Sequence, residues 1–215
     1  MPEEKGWMVP TLQLGGDFFL LEDWDGSPAG PYRAVFHFTP DGRRTLFIDR
    51  EAAVEVISSI HRFDEIHVTD IVSERQGGKW VLEAETGKKG PLRLEVDYVE
   101  TGALKVANAL ASLTPDVVSR SRVFCSLMPR LAAVVMGTDP KQRITGVTEI
   151  GTGCRFRVER MFKVERASAT WGGKDVGDFV ECTLSHDLGD FSPVSKAMVS
   201  RATLFFEQAE GGPRP

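Results

Sequence analysis

The chain has little of what marks membrane proteins, secreted disulfide proteins or nucleic-acid-binding proteins. Its 215 residues contain no apolar run near the roughly 20 residues that a membrane-spanning helix needs. The three cysteines lie far apart without a CxxC pair, which is typical of a reducing compartment: Cys125, Cys154 and Cys182. The net charge is −5, with acidic and basic residues mixed along the chain, so no basic face is indicated. We therefore predict a soluble cytoplasmic protein with neither a nucleic-acid nor a membrane partner.

Motifs for metal, nucleotide and serine-nucleophile chemistry are also missing. The four histidines form no HxH, HxxxH or H-E-x-x-H pair: His37, His61, His67 and His186. Gly151-Thr152-Gly153 stands alone and is more typical of a β-turn than of a phosphate-binding loop. No G-x-S-x-G segment is present. We expect neither a metal nor a cofactor.

Short apolar segments separated by glycine and proline turns dominate the chain. From Leu92 to Tyr98, apolar and charged residues alternate with the period of a strand that has one buried face. Residues 49–61 predict a helix with Asp49 as N-cap, and residues 101–113 predict a second helix capped by Thr101. The predicted fold is α+β and mainly β: an antiparallel, closed or nearly closed β-barrel with one or two short helices. Further strands are predicted at 18–21, 32–38, 45–48, 66–73, 80–85, 122–127, 131–136, 144–150, 155–170, 178–184 and 201–208.

Length and composition fit a single domain. We predict an N-terminal arm at residues 1–16 and one barrel domain at residues 17–208. The glycine- and proline-rich residues 209–215 predict a flexible tail.

Two stretches resemble the acetoacetate decarboxylase family. The first is Ser27–Tyr32, which reads Ser-Pro-Ala-Gly-Pro-Tyr, and the second runs from Asp49 to Phe63. Residues 124–129 and 184–200 resemble, in the same order, the mid-barrel strand and closing segment of that family. Its members normally carry a Gly-Pro-Tyr-x-Glu signature and, downstream, a Pro-Lys-Lys whose lysine forms a Schiff base with a keto acid. The resemblance implies a β-barrel, decarboxylation of a small oxo acid and assembly into a homo-oligomer.

The chain departs from the family pattern at two places that matter for the chemistry. Ala34 stands where the signature has glutamate, and His61-Arg62 stand roughly where the lysine pair would be. Arginine stays protonated and cannot form the imine. Histidine can act as a base near pH 7 but forms no stable imine with a ketone. An imine mechanism would therefore need a lysine from elsewhere in the chain.

Lys196 is the leading candidate for that lysine, and His61 is the candidate general base. An imine-forming lysine needs a pKa depressed by burial or by a neighbouring cation. Lys105 is a second candidate, on the second predicted helix. Lys163 and the Lys88-Lys89 pair are expected in water, because one lies on the charged face of a strand and the other in a glycine turn.

Arg62, Arg160 and Tyr32 are the candidate substrate-binding residues. Arg160 shares the parity of the apolar residues in its strand, and an inward guanidinium would hold a substrate carboxylate. The favoured alternative is a β-bulge near Arg160-Met161 that turns this side chain to water.

Three functions are open at this point. The first is a lyase, or decarboxylase, acting on a small oxo acid through an unorthodox amine or through general acid–base chemistry. The second is a non-catalytic barrel that binds a small carboxylated or apolar ligand with Arg62, Arg160 and Tyr32. The third is a structural subunit. A lysine pointing into the barrel would favour the first function.

Overall fold

The computed structural model describes residues 3–115, 118, 121, 145–183, 188–191 and 196–207. The strands predicted at 122–127 and 131–136, the segment 124–129, parts of the segment 184–200 and the tail at 209–215 lie outside the described residues. Within the described ranges the chain forms thirteen strands, two α-helices and one turn of 3₁₀ helix: β1 (Glu3–Leu14), β2 (Asp17–Gly26), β3 (Tyr32–Phe38), β4 (Arg44–Ile48), α1 (Glu51–Ser58), β5 (Glu65–Val68), β6 (Ile71–Gln76), β7 (Lys79–Ala84), the 3₁₀ turn (Gly87–Lys89), β8 (Leu92–Val99), α2 (Gly102–Leu113), β9 (Thr145–Val147), β10 (Gly153–Trp171), β11 (Lys174–Asp175), β12 (Phe179–Val180) and β13 (Met198–Glu207).

Ten of these strands follow one another in a single sheet, in the order β5-β4-β3-β2-β1-β13-β10-β8-β7-β6. β9 and β11 pair with β10, and β12 pairs with β1. The pairings are antiparallel except between β4 and β5, which are parallel. The prediction of a mainly β fold with two short helices is confirmed.

The sheet curls because its two edge strands are consecutive in the chain. β5 ends at Val68 and β6 begins at Ile71, so one short link joins the two edges. Within that link, the Thr69 N–H donates to the carbonyl of Ile48 at 2.8 Å, and the Thr69 hydroxyl donates to the carbonyl of Glu85 at 2.7 Å. The result is a curled half-barrel, and closure of the sheet into a full ring stays a prediction.

Side chains bridge the curl from β6 to β2. The Ser73 hydroxyl donates to Oδ2 of Asp23 at 2.6 Å, and the Arg75 guanidinium forms an ion pair with the same carboxylate. The Arg75 guanidinium carbon also lies 5.3 Å and 5.1 Å from the ring centres of Trp7 and Trp80. The indole N–H of Trp80 donates to Ser73 at 2.9 Å. These contacts tie the far edge of the sheet back to its middle.

Two apolar layers pack against opposite faces of the sheet. The inner core draws on strands at both ends of the sheet order, such as Phe47 of β4 and Ile71 of β6, so the curl encloses it. The helix-side core lies between α1 and alternate residues of β1 to β4, with further residues from β10 and β13. β2 and β3 contribute to both layers, which explains why their burial is nearly continuous.

The helices differ in how well the sequence predicts their ends. α2 is capped as predicted, with the Thr101 hydroxyl accepting from the Leu104 N–H. The prediction that Asp49 caps the first helix is wrong, because α1 begins at Glu51 with no side-chain cap. The Asp49 carboxylate instead accepts from the backbone N–H of Arg33 at 2.8 Å and from its guanidinium at 3.0 Å. No helix among the described residues is long and apolar enough to cross a membrane.

The predicted N-terminal arm contains a strand from the middle of the sheet. β1 pairs with β2 on one side and with β13 on the other. The predicted strand at 66–73 is in fact two strands, β5 and β6, which lie at opposite edges. Both differences arise from long-range pairing, which local sequence patterns do not encode.

Candidate functional site

A buried tyrosine and a buried glutamate are hydrogen-bonded at the start of β3. Tyr32 is 1% exposed, and its hydroxyl donates to Oε1 of Glu4 on β1 at 2.9 Å. Glu22 and Trp24 on β2 are buried on the same face of the sheet. We refer to these four residues, Glu4, Glu22, Trp24 and Tyr32, as the acid cluster. The acid cluster places two carboxyl groups and a phenol in an otherwise apolar layer.

The cross-strand register explains why these side chains meet. Trp24 lies between Tyr32 of β3 and Gly6 of β1. A Cβ atom at Gly6 would lie 2.3 Å from the carbonyl oxygen of Asp23, so only glycine permits this close approach of β1 to β2. Glu4 lies on β1 two residues before Gly6, and its side chain reaches across β2 to Tyr32.

Burial raises the pKa of every acid in the acid cluster. It raises the pKa of Glu4 to about 7, against the lowering effect of the hydrogen bond from Tyr32. It raises the pKa of Glu22 to about 8, with the charge of Glu4 adding to the shift and the Trp24 indole opposing it. Burial, then the charges of Glu22 and Glu4, hold the pKa of Tyr32 well above its usual value. At neutral pH the two carboxyl groups therefore hold at least one proton between them, and the phenol is neutral.

Two polar atoms of the acid cluster are buried without a hydrogen-bond partner in the described part of the chain. They are Oε2 of Glu4 and Nε1 of Trp24. The Trp24 indole is near enough to lower the pKa of Glu22, but Nε1 does not reach hydrogen-bonding geometry with that carboxyl group. A buried polar group left unpaired costs about 1–3 kcal/mol. Both atoms are therefore suited to pair with a small polar ligand.

The acid cluster has the properties of a proton-transfer site. Proton donors and acceptors work best when their pKa lies near the working pH, and the pKa values of both glutamates lie there. A substrate carboxylate beside Glu4 would bring a second negative charge into an apolar layer, which is unfavourable. The Tyr32 hydroxyl already contacts a carboxyl group of the protein, and its binding of substrate stays a prediction.

His61 lies apart from the acid cluster in the helix-side core. Its ring packs edge-on against Phe36 and Phe63, with centroid distances of 5.5 Å and 6.4 Å. Phe36 is four residues from Tyr32 along β3, or about 13 Å. Burial lowers the pKa of His61 to about 4, against the raising effect of Glu149. At pH 7 His61 is a neutral imidazole, and its buried Nδ1 has no hydrogen-bond partner among the residues described.

Glu149, in the loop between β9 and β10, organises the chain around His61. Its Oε1 accepts from the backbone N–H of Arg62 at 2.6 Å and from Nη1 of Arg44 at 2.7 Å, and its side chain is 4% exposed. Arg62 thus contributes its backbone to this region, while its side chain is exposed. The structure brings Arg62 next to His61 but does not bring either residue to Tyr32.

Arg160 lies outside both the acid cluster and the region around His61. The register of β10 against β13 shifts between Val158 and Arg160, which is the predicted type of bulge. The Arg160 side chain is 50% exposed, and its Nη2 lies 3.3 Å from Oε1 of Glu100. The outward orientation favoured from the sequence is the one observed, and the inward orientation is not.

Lys196 is half-buried immediately before β13, next to the buried Ala197. Lys105, the second candidate amine, is exposed on α2. The remaining described lysines are exposed as well: Lys5, Lys79, Lys88, Lys89, Lys163 and Lys174. In the described ranges, the helix-side core therefore holds buried carboxyl groups but no fully buried amine. No group of three or more metal-ligating side chains is placed to hold a metal ion there either.

Sequence reasoning identified Tyr32 but missed the other members of the acid cluster. A signal existed for Glu22, which interrupts the apolar run that leads from Phe18 to Trp24. A carboxyl group within a strand buried on both faces is costly, so it is retained where it has a role. Glu4 carried no such signal, because it lies in a charged stretch that is typical of a solvated segment.

Comparison with known proteins returns structural likenesses only. No family model matches the chain, and no curated protein matches it. An acetoacetate decarboxylase from Legionella pneumophila is similar with a TM-score of 0.44 and 10% identity, over 95% of this chain and 84% of that one. A second acetoacetate decarboxylase structure has a TM-score of 0.48 and 10% identity, over 96% of this chain and 86% of that one. An acetoacetate decarboxylase-like enzyme from Sphingomonas wittichii has a TM-score of 0.38 and 9% identity, over 95% and 89%.

The function is inferred from the chemistry of this chain.

Proposed function

We propose that this acetoacetate decarboxylase-like protein binds a small, uncharged carbonyl or hydroxyl compound at the acid cluster. The observation that carries the proposal is the buried hydrogen bond from Tyr32 to Glu4, with the carboxyl group of Glu22 nearby. The unpaired atoms of the acid cluster, Oε2 of Glu4 and Nε1 of Trp24, offer an acceptor and a donor to such a compound. A carbonyl oxygen fits the indole donor, and a hydroxyl group fits the carboxyl acceptor.

The acidic groups around Tyr32 determine which ligand charge is favoured. Glu4, Glu22 and Asp49 all act electrostatically on Tyr32 as negative charges when ionised. A ligand carboxylate would add to them in a layer of low polarity, whereas a neutral ligand leaves the carboxyl groups free to stay protonated. We therefore expect neutral compounds to bind better than their anionic counterparts.

A second candidate function is decarboxylation of a small oxo acid through an imine. Lys196 favours it, because this lysine is half-buried beside the buried start of β13 and is thereby partly removed from water. In this alternative, His61 would serve as the base and Arg62 would hold the substrate carboxylate. It requires Lys196 to be unprotonated and both other residues to approach it.

A matched pair of probes separates the two candidates. Methyl acetoacetate and acetoacetate share a carbon skeleton and differ in charge. Ligand-observed NMR at pH 6 should show binding of the ester. Binding should be weakened by at least about tenfold in Tyr32→Phe, because this variant removes the hydroxyl group that holds the Glu4 carboxyl group in place. Binding of acetoacetate should be weaker than that of the ester. Lys105→Met, on the exposed face of α2, is the control variant.

Borohydride reduction in the presence of acetoacetate tests the second candidate. Under the proposed function, no lysine peptide gains mass. A mass gain on the Lys196 peptide, lost in Lys196→Met, would instead establish the imine and overturn the proposal.

A further inference from the structure

We infer that Glu4 and Glu22 form a proton-sharing carboxyl pair that exchanges the hydrogens next to the carbonyl group of a small uncharged ketone. This inference rests on the proposed function, because it requires the ketone to bind at the acid cluster. It assigns catalytic roles to two residues that lie outside every family motif in the sequence.

The first step of the inference is geometric. Oε1 of Glu4 is occupied by the Tyr32 hydroxyl at 2.9 Å, which fixes the carboxyl group in place. Oε2 of the same group is buried and unpaired within the described residues, so it is available to take a proton. Trp24, 1% exposed, lies two residues from Glu22 on the same face of β2 and directly opposite Tyr32 of β3, and its Nε1 is likewise unpaired within the described residues. An acceptor, a carboxyl group and an N–H donor therefore lie on one buried face of neighbouring strands.

The second step concerns the charges on every element around the pair. Glu4 comes from β1, Glu22 from β2 and Tyr32 from β3, and Asp49 acts on Tyr32 from the segment before α1. Glu4, Glu22 and Tyr32 are all acids, so ionisation of one opposes ionisation of the next. Asp49 is itself paired with a cation, since its Oδ2 lies 3.0 Å from the Arg33 guanidinium of β3. The carboxyl pair is held in the state with one proton over the pH range between its two apparent pKa values.

The third step is the reaction itself. Oε2 of Glu4 removes a proton from the carbon next to the carbonyl group, and the C–H electron pair becomes the carbon–carbon double bond of the enol. The carbonyl π pair moves to the oxygen, which takes the proton of Glu22 while the Trp24 N–H stabilises the developing charge. Glu4 is then protonated and Glu22 ionised, so charge and protons balance. In D₂O the carboxyl protons exchange with solvent, and reversal returns deuterium to the carbon.

The test uses the full chain and methyl acetoacetate in D₂O. Loss of the methylene signal in ¹H NMR, compared with protein-free buffer at the same pH, measures the exchange, and line broadening of the methyl signal measures binding. We expect catalysed exchange, with a rate that falls at least about tenfold in Glu4→Gln and in Glu22→Gln when each is measured with the ester in excess. Glu83→Gln on β7, with a side chain 45% exposed, is the matched control and should exchange like the natural chain.

A pH profile distinguishes catalysis from a structural role. A carboxyl pair predicts a bell-shaped rate with limbs near the pKa values of about 7 and about 8, and one limb should disappear in Glu22→Gln. Circular dichroism of each variant checks folding.

Each outcome has a definite meaning. Binding without exchange above the buffer rate overturns this inference and leaves the proposed function in place. Exchange that persists in both glutamine variants also overturns it. Absence of binding to the natural chain removes the proposed function and this inference with it.

Discussion

Glu22 lies directly opposite Ala34 in the register of β2 and β3. Both side chains belong to the helix-side face and are buried, Ala34 completely. The Cβ atoms of directly opposite residues are about 4.5–5.5 Å apart. A carboxyl group therefore stands one strand away from the position at which the Gly-Pro-Tyr-x-Glu signature carries it. Although position 34 is alanine, this face of the sheet still carries a carboxyl group, which belongs to Glu22 on β2.

This relationship predicts that glutamate at position 34 is tolerated only when Glu22 is removed. Ala34→Glu alone should destabilise the fold by about 3 kcal/mol or more, because it overpacks the layer and adds a third buried carboxyl group. In the double variant Glu22→Ala/Ala34→Glu, the volume and charge of the pair are restored, so part of that stability should return. Chemical denaturation of the natural chain, both single variants and the double variant measures the coupling. Strictly additive losses would show that the two positions do not share one space.

The acid cluster also predicts how stability depends on pH on the alkaline side. The pKa of Glu22 is raised to about 8, so its folded form holds a proton that its unfolded form has lost above its ordinary value of 4.5. Its contribution is thus fully present below pH 4.5 and is lost as the pH rises to about 8. At about 1.4 kcal/mol per pKa unit, the loss is a few kcal/mol.

Glu22→Gln removes this titration. Urea midpoints measured from pH 6.5 to 8.5 should fall in the natural chain and fall less steeply in Glu22→Gln, so that the variant is the more stable protein at pH 8.5. Glu83→Gln on β7, where the glutamate side chain is 45% exposed, should keep the natural slope. Parallel slopes for the natural chain and Glu22→Gln would show that this carboxyl group is ionised in the folded state.

The local parts of the fold were predictable from the sequence, and the long-range parts were not. β3 was predicted with its observed bounds, because Gly30-Pro31 marks a turn and residues 32–38 are strand formers. β1 was missed, because its pairing with β13 joins residues at the two ends of the chain, as Trp7 and Arg201 show. No local pattern records such a pairing.

The candidate site likewise has one part that the local sequence predicted and another that depends on packing between strands. Tyr32 was found through a short motif whose residues are adjacent in sequence. Glu4 reaches Tyr32 only because Gly6 lets β1 approach β2 closely, and that depends on packing across strands. Asp49 was assigned to a helix cap on its local position, but the neighbouring Arg33 offered its carboxylate two donors instead.

The bridge across the curl predicts a large effect of Asp23. Asp23→Ala should destabilise the chain by about 2–4 kcal/mol, because it leaves Arg75 without its counter-ion in a position where the arginine side chain is only 20% exposed. Ser73→Ala should cost about 1 kcal/mol, since it removes one hydrogen bond to the same carboxylate. Denaturation and hydrogen exchange of β6 measure both effects.

A matched control for Asp23 is Asp97→Ala on β8, whose side chain is 46% exposed and 3.9 Å from Lys79. Its loss should change stability by less than about 1 kcal/mol. Equal effects of the two aspartates would mean that the bridge does not hold the edge of the sheet.

The lowered pKa of His61 predicts the opposite pH dependence of stability: the folded chain should lose stability as the pH falls. Burial lowers its pKa from 6.5 to about 4, so between these values the unfolded chain binds a proton that the folded chain does not. Its contribution is fully present above pH 6.5 and is lost as the pH falls through about 4, a loss of about 3 kcal/mol.

The difference in unfolding free energy between the natural chain and His61→Gln isolates this titration from that of the glutamates, which both proteins share. The difference should shrink steadily from pH 7 to pH 4, because the variant has no imidazole to protonate. If the difference stayed constant from pH 7 to pH 4, the imidazole would take up its proton in the folded protein as it does in the unfolded chain. Glu149 would then stabilise it as an ion-pair partner, outweighing the cost of burial.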